Sequence, residues 1–347
     1  MKKKIGDVVG RILGHRRMGP NLVVKDGKEV LCADLDDLRC AYRLLLGREP
    51  DDEGFQTYQK KIRNERITTV ELADHFLGSH EFAARHSCPV RRIEFDGYSL
   101  LVRDGDSDVS RTIAAGNVYE PNVTSALQEV LRAGFVFMDI GANIGYYTAM
   151  AASRVGPTGR VIAVEPMDKN LQLILATLQD NEFANVFVIP YAASDRDSIV
   201  AMSTAPGSSN GEIVLNNDGA GNPAIYAIAR KLDDVAPAMD RLDVVKIDVE
   251  GHEFHALRGF EKNILRFRPI IFTEFHPKCM RELSGTDPMD YYSLLAKYGG
   301  RIDILGFDGR RSACSSFEDL MAAWRFAGDA LDVGDGAHLD LLVFPSS

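Results

Sequence analysis

Cysteine is scarce in this chain, and its placement suits neither of its structural uses. The five cysteines (Cys32, Cys40, Cys88, Cys279 and Cys314) are odd in number and form no C-x-x-C pair. That pattern fits a reducing compartment and offers no metal-site spacing. Long apolar runs are missing as well, since no stretch approaches the roughly 18 residues that would span a bilayer. Nor does the N-terminus hold the apolar core of a secretory signal, because Gly6, Asp7, Gly10 and Arg11 interrupt it. These absences point to a cytoplasmic protein. Positive charge is in deficit: 40 Lys and Arg against 50 Asp and Glu leave a net charge of -10. Salt-driven contact with phosphates needs the opposite balance, so no nucleic-acid partner is expected. A local exception is the cluster Lys2, Lys3, Lys4, Arg11, Arg16 and Arg17. Residues 1–33 read as a basic solvated segment, with weak contact to an acidic membrane surface as the alternative.

What is present is an ordinary globular composition, 45% hydrophobic and 26% charged over 347 residues. That length suits one large domain and something smaller. Residues 34–88 read as a small helical module. Leu38, Ala41, Tyr42 and Leu45 recur at helical spacing, with Gly47 as a stop. Pro50-Asp51-Asp52 opens a second segment, Thr68 and Glu71 form a capping-box pattern, and Ser79 is a candidate cap for a last turn through Phe82.

From residue 93 to 347 strands alternate with helices, the rhythm of an α/β domain. Seven strand candidates stand out: 135–140, 160–165, 185–190, 243–248, 269–274, 301–305 and 339–344. Helical stretches cover Tyr147–Val155 and Lys169–Asn181. The expected fold is a Rossmann-like α/β domain with a seven-stranded, mostly parallel sheet, preceded by the small all-helical domain.

The strongest local signal begins at Val136. An apolar strand runs into Asp139; Gly141 and Gly145 then bracket a tight turn before a helix, with Ala142 and Asn143 between them. Glycine lets the backbone approach a ligand at the strand's carboxyl end, where open parallel sheets bind. The next strand ends in Glu165, and an acid there can accept hydrogen bonds from two ribose hydroxyls. Any adenosine-containing cofactor would satisfy these features. A dinucleotide fingerprint, however, wants Gly-x-Gly-x-x-Gly, whereas Asn143 and Tyr146 occupy the second and third glycine positions. Asp139 sits poorly beside a pyrophosphate and well beside a cation. S-adenosylmethionine carries an ammonium and a sulfonium and no phosphate, so a methyltransferase is favoured over a nicotinamide-dependent dehydrogenase.

Several blocks in order then resemble the FkbM-type methyltransferase family over about residues 112–275. They are Val118-Tyr119-Glu120-Pro121, Asp139 to Thr148, Gly159 to Pro166, Ala192-Ala193-Ser194-Asp195, Leu232-Asp233-Asp234, Val245 to Glu253, and Glu274-Phe275-His276-Pro277. The wording of residues 41–51 and 71–82 resembles a small helical domain of unassigned function that often stands beside enzymes modifying bacterial surface glycans. The family resemblance implies methyl transfer, usually to a hydroxyl oxygen and often on a sugar or polyketide, without naming the acceptor. The function expected here is O-methylation of a glycan, glycolipid or other small hydroxylated molecule. The resemblance implies cofactor contacts from Glu120, Thr124, Asp139, Gly141, Ala142, Asn143, Gly145, Thr148, Glu165, Pro166 and Asp195.

Methyl transfer from a sulfonium needs an aligned acceptor and, for an alcohol, removal of a proton. Asp248, Glu250, Glu274 and His276 lie at or just beyond the ends of two strands facing the same crevice, and are the catalytic candidates. Glu253 reads as a helix-start carboxylate, and His252 and His255 as packing or surface residues. The carboxylates would suit Mg²⁺ chemically, but their spacing establishes no metal site, and none is assigned. Residues 198–231, with Ser208-Ser209-Asn210-Gly211 as a polar loop, are the acceptor-pocket candidate. The alternative function is a nonenzymatic assembly protein that keeps a cofactor-shaped crevice. No oligomeric state is read from the sequence.

Overall fold

The computed structural model describes residues 22–25, 28–77, 79, 81, 90–106, 109–203, 208–214, 225–306 and 309–346. The basic cluster at Lys2–Arg17, Cys88 and the turn through Phe82 lie outside them. Two compact units emerge, one from the described residues up to Asp104 with Met167–Ala184, the other from Gly105–Pro166 with the chain from Asn185 onward.

In the first unit, strands β1 (Leu22–Lys25) and β2 (Lys28–Leu31) form an antiparallel hairpin. Helix Leu35–Leu46 is opened by Asp34, whose carboxylate caps Asp36 and Asp37, and closed by Gly47 at φ +59°. Its Leu38, Ala41, Tyr42 and Leu45 are buried, the face their spacing anticipates. Asp51 caps helix Asp52–Lys60, while Thr68 and Glu71 cap helix Thr69–Leu77 reciprocally. The Tyr42 and Phe76 rings meet edge-on at 4.7 Å and join the helices. The Ser79 hydroxyl donates back to the Phe76 carbonyl at 2.7 Å. The same unit holds the hairpin of β3 (Val90–Phe95) and β4 (Tyr98–Arg103), against which helix Asp168–Asp180 packs: the Thr177 hydroxyl accepts from the Leu101 N–H at 3.0 Å.

The second unit is built on a mixed sheet. Its strands are β5 (Val136–Ile140), β6 (Arg160–Val164), β7 (Val186–Ile189), β12 (Val244–Ile247), β13 (Ile270–Phe275), β14 (Gly299–Leu305), β15 (Arg311–Cys314) and β16 (Leu339–Pro345). They lie in the order β15-β14-β16-β13-β12-β5-β6-β7. β13, β12, β5, β6 and β7 pair in parallel; β16 is antiparallel to both neighbours, and β15 to β14. This is a Rossmann-like α/β domain with eight strands. The seven expected strands are all in the sheet, and the eighth corrects the count: β15 is a short polar edge strand, Arg-Ser-Ala-Cys, without an apolar run to reveal it.

Side-chain alternation divides the sheet into two faces. Met138, Ile140, Val245, Ile247, Ile271, Phe275, Leu341 and Val343 enter one apolar core with Phe260, Tyr291, Leu295 and Trp324. Asp139, Lys246, Asp248, Glu274 and Asp340 alternate with them on the other face. From β5 the chain adds strands in one direction, then resumes on the other side at β12. The β5–β12 boundary is thus a topological switch point, the place where such sheets open a crevice.

The described residues between 198 and 231 include three strands. A second sheet runs β10 (Glu212–Val214), β9 (Ser198–Ser203), β11 (Ile225–Arg230), β8 (Ala192–Ala193), with residues 204–207 and 215–224 outside the described set. Among the described residues no helix is long and apolar enough to cross a membrane.

Candidate functional site

At the switch point the turn after β5 is pressed against the end of β12. The Asp248 N–H donates to the Ile140 carbonyl at 3.0 Å. A Cβ at Gly141, whose φ is +84°, would lie 1.8 Å from the Asp248 carbonyl oxygen. Glycine is therefore obligatory there for both conformation and space. The Gly141 and Ala142 N–H groups both donate to Val164 O, and Gly145, at φ +90°, donates to Ala142 O. Asn143 is left-handed at φ +51°, its N–H held by the Glu165 carboxylate at 2.9 Å and its amide by Asn210 Oδ1 at 2.8 Å. The polar loop of residues 208–211 thus reaches the glycine turn. Glu165 is buried at the end of β6, with Pro166 directly after it.

Beneath the turn lies a buried charge group. Asp139 is only 1% exposed; its Oδ2 accepts from Thr148 Oγ1 at 2.6 Å, and its Oδ1 has no partner. Burial lifts its pKa to about 6, against the pull of Lys246 and the Thr148 hydrogen bond. Lys246, 5% exposed, is the register partner of Asp139 on β12. Its Nζ lies 2.8 Å from Asp248 Oδ2 and 4.6 Å from the centre of the Tyr147 ring. Burial opposes its charge, yet Asp248, Glu120 and Asp139 together hold its pKa above the ordinary lysine value. The Tyr147 hydroxyl donates to Glu120 Oε2 at 2.6 Å, and Glu120 itself is left-handed at φ +41°. Thr124 donates to the Tyr119 carbonyl at 2.7 Å, which fixes this entry segment.

A cavity opens beside this group, lined by Val123, Lys246, Asp248, Phe272, Glu274 and Asp340 among others. Glu274 and Asp340 are register partners on the antiparallel pair β13–β16. Burial and neighbouring carboxylates raise Glu274 well above its ordinary range and Asp340 to about 8. Facing carboxylates cannot both ionise cheaply, so protons are retained between them. Glu250, left-handed at φ +53°, is likewise raised to about 8 by burial and by Asp248 and Glu253. Glu253 is fully buried and accepts from the Val249 and Gly251 N–H groups, so it fastens the turn after β12.

Two expected site residues sit in other hydrogen-bonded groups. Asp195 Oδ2 pairs with His255 Nδ1 at 3.0 Å, next to a Ser194–His252 contact of 3.1 Å. Burial, reinforced by His255, lowers His252 to about 3 and keeps it neutral. His276 begins the short helix Pro277–Cys279, its Nδ1 accepting from the Cys279 N–H, with its pKa lowered by burial and by His338. Among the described residues no hydrogen bond ties either residue to the Asp139–Lys246–Asp248 group.

Sequence reasoning passed over Lys246, Tyr147 and Asp340 as site residues. The available signal was a charge inside an apolar strand: Val-Val-Lys-Ile for Lys246 and Leu-Asp-Leu-Leu for Asp340. Among the described residues no three His, Cys, Asp or Glu side chains converge to hold a metal.

Comparison with known proteins gives the site its context. Residues 139–302 match the methyltransferase FkbM domain, and residues 34–86 match a domain of unknown function, DUF4214. The chain is similar to the hexuronic acid methyltransferase AglP of Haloferax volcanii, at 25% identity over 178 residues, 51% of this chain and 68% of that protein. Among solved structures, a methyltransferase FkbM from Methylobacillus flagellatus KT aligns over 85% of this chain and 72% of its own, with 15% identity and a TM-score of 0.37. A putative rRNA-methylase from Clostridium thermocellum aligns over 65% and 96%, with 12% identity and a TM-score of 0.36. The cofactor of this domain is S-adenosylmethionine, and the residues present fit it. A buried carboxylate with one unpartnered oxygen calls for a donor or a cation.

Proposed function

We propose that this FkbM-type, S-adenosylmethionine-dependent methyltransferase methylates a hydroxyl oxygen on a glycan, glycolipid or other small hydroxylated molecule. Residues 93–347 act as the catalytic domain, in the cytoplasm, with 34–88 as an accessory helical module.

The observation that carries the reading is Asp248. Its backbone meets the Gly141 turn, while its partly exposed carboxylate lines the adjoining cavity. A carboxylate so placed accepts the proton that an alcohol must lose. When bound beside Asp139, Glu165 and the Gly141 turn, the cofactor would supply an electrophilic methyl on a sulfonium, whose sulfur would retain the electron pair of the broken carbon–sulfur bond. Every other part of the task belongs to the chain. Asp139 and Thr148 face the cofactor's positive charge, and Glu165 takes ribose hydroxyls. Gly141, Ala142, Asn143, Gly145 and Pro166 shape the turn, while Glu120 and Thr124 hold the entry segment. Glu250 and Glu274 offer protonated carboxyls to acceptor oxygens. Asp195 and His276 support the walls of the crevice from their own hydrogen-bonded groups. The glycan class draws support from the hexuronic acid methyltransferase to which this chain is similar.

A hexuronic acid presents a carboxylate as well as hydroxyls, so the product's chemistry tests the proposal. Labelled methyl transferred to glycan extracts is expected to survive mild alkali, as an ether does. Release of labelled methanol would mean a carboxylate ester and would contradict a hydroxyl acceptor.

A further inference from the structure

Lys246 is the most enclosed cation of the site, and no motif argument had given it a role. A lysine of this burial is costly unless it is paired. Here the charges face it from every packed element. Asp248 lies on its own strand at 2.8 Å, and Asp139 is its register partner on β5. Tyr147 presents its ring from helix Tyr146–Val155 and carries Glu120 on its hydroxyl. Glu274 on β13 and Asp340 on β16 line the same cavity, and Glu250 stands in the turn just beyond. Asp139 and Asp248 are the two carboxylates with opposite duties, one toward the cofactor and one toward the acceptor.

We propose that Lys246 is a positioning residue that couples the two half-sites, its single ammonium standing between Asp139, which faces the cofactor's cation, and Asp248, whose carboxylate it holds toward the acceptor. The idea rests on the functional reading above for Asp248, and on the fold and cofactor alone for Asp139. Without the ammonium, burial would leave Asp139 protonated at neutral pH, and cofactor binding would require a higher pH.

Calorimetric binding of S-adenosylmethionine between about pH 5 and about pH 8 reads this directly, with no turnover required. In the wild type, affinity falls on acidification as Asp139 takes up a proton. In Lys246→Met the midpoint of that fall is expected to move up by about one unit or more, which costs about tenfold in affinity near neutrality and is recovered as pH rises. Lys246→Arg, which keeps the charge, is expected to hold the midpoint near the wild-type value. Should Lys246→Met fail to fold, Asp248→Asn provides the opposite sign: with a negative neighbour gone, the midpoint moves down. A folded Lys246→Met whose affinity drops equally at every pH, or not at all, would overturn the proposal, as would an unshifted midpoint in Asp248→Asn. If these shifts appear while the methylated product proves alkali-labile, the coupling stands and only the hydroxyl-acceptor reading fails.

Discussion

The two faces of β12 are buried by different means. On one, Val245 and Ile247 are shielded completely among aliphatic and aromatic neighbours, and their burial needs no partner. On the other, Lys246 is nearly as enclosed, but its charge survives only because carboxylates and an aromatic ring surround it. Apolar burial contributes about 25 cal/mol per Å² and is non-directional. Buried ionic groups sit close to thermodynamic break-even and demand good geometry. One strand therefore supports the fold with its first face and gathers charged groups on its second, where the carboxyl ends of β5 and β12 meet at the switch point.

The comparison can be broken first at Asp248. Asp248→Asn is expected to lower kcat by about 10²–10⁴-fold, the usual worth of a positioned base, while cofactor affinity at neutral pH changes only a few-fold. Steady-state kinetics beside calorimetry would separate the two effects. A variant with near-normal kcat would remove Asp248 from the chemistry.

The apolar face should respond in the reverse manner. Ile247→Ala is expected to cost about 2–4 kcal/mol in denaturant unfolding, with kcat retained wherever the variant stays folded. Loss of kcat in a well-folded Ile247→Ala would erase the distinction between the faces.

The smaller effect concerns pH. The folded chain keeps a proton on Asp340 up to about pH 8, whereas an unfolded Asp releases it near its ordinary value. Stability from this group is thus complete below about pH 4 and is lost as pH rises toward 8. Asp340→Asn escapes that loss, so its melting temperature should gain on the wild type between about pH 5 and about pH 9. A difference that stays flat or shrinks over that range would show that Asp340 titrates normally.

What was legible in the sequence follows the same division. The seven apolar strands declared themselves by composition, whereas polar β15 did not. The hairpins and the second sheet, whose short strands lie between 192 and 230, were hidden because local pattern does not specify which segments pair. Asp139, Gly141, Asn143 and Glu165 stood out as candidates because the strand–turn–helix–strand around them is one local segment. Lys246, Tyr147 and Asp340 become a site only through register and packing between distant segments: Lys246 beside Asp139, Glu274 opposite Asp340, Tyr147 over the ammonium. In sequence each is one polar or aromatic residue within an ordinary element.

The central claim is that a buried carboxylate at the β5 switch point binds the cationic cofactor. Titration of S-adenosylmethionine into the wild type and Asp139→Asn tests it most directly, since Asn keeps the shape and the Thr148 contact while removing the charge. The account expects the variant to melt at the same temperature or higher, relieved of a buried anion, and to bind about 100-fold more weakly, in the range of a lost buried charge partner. Equal affinity in the two proteins would contradict it.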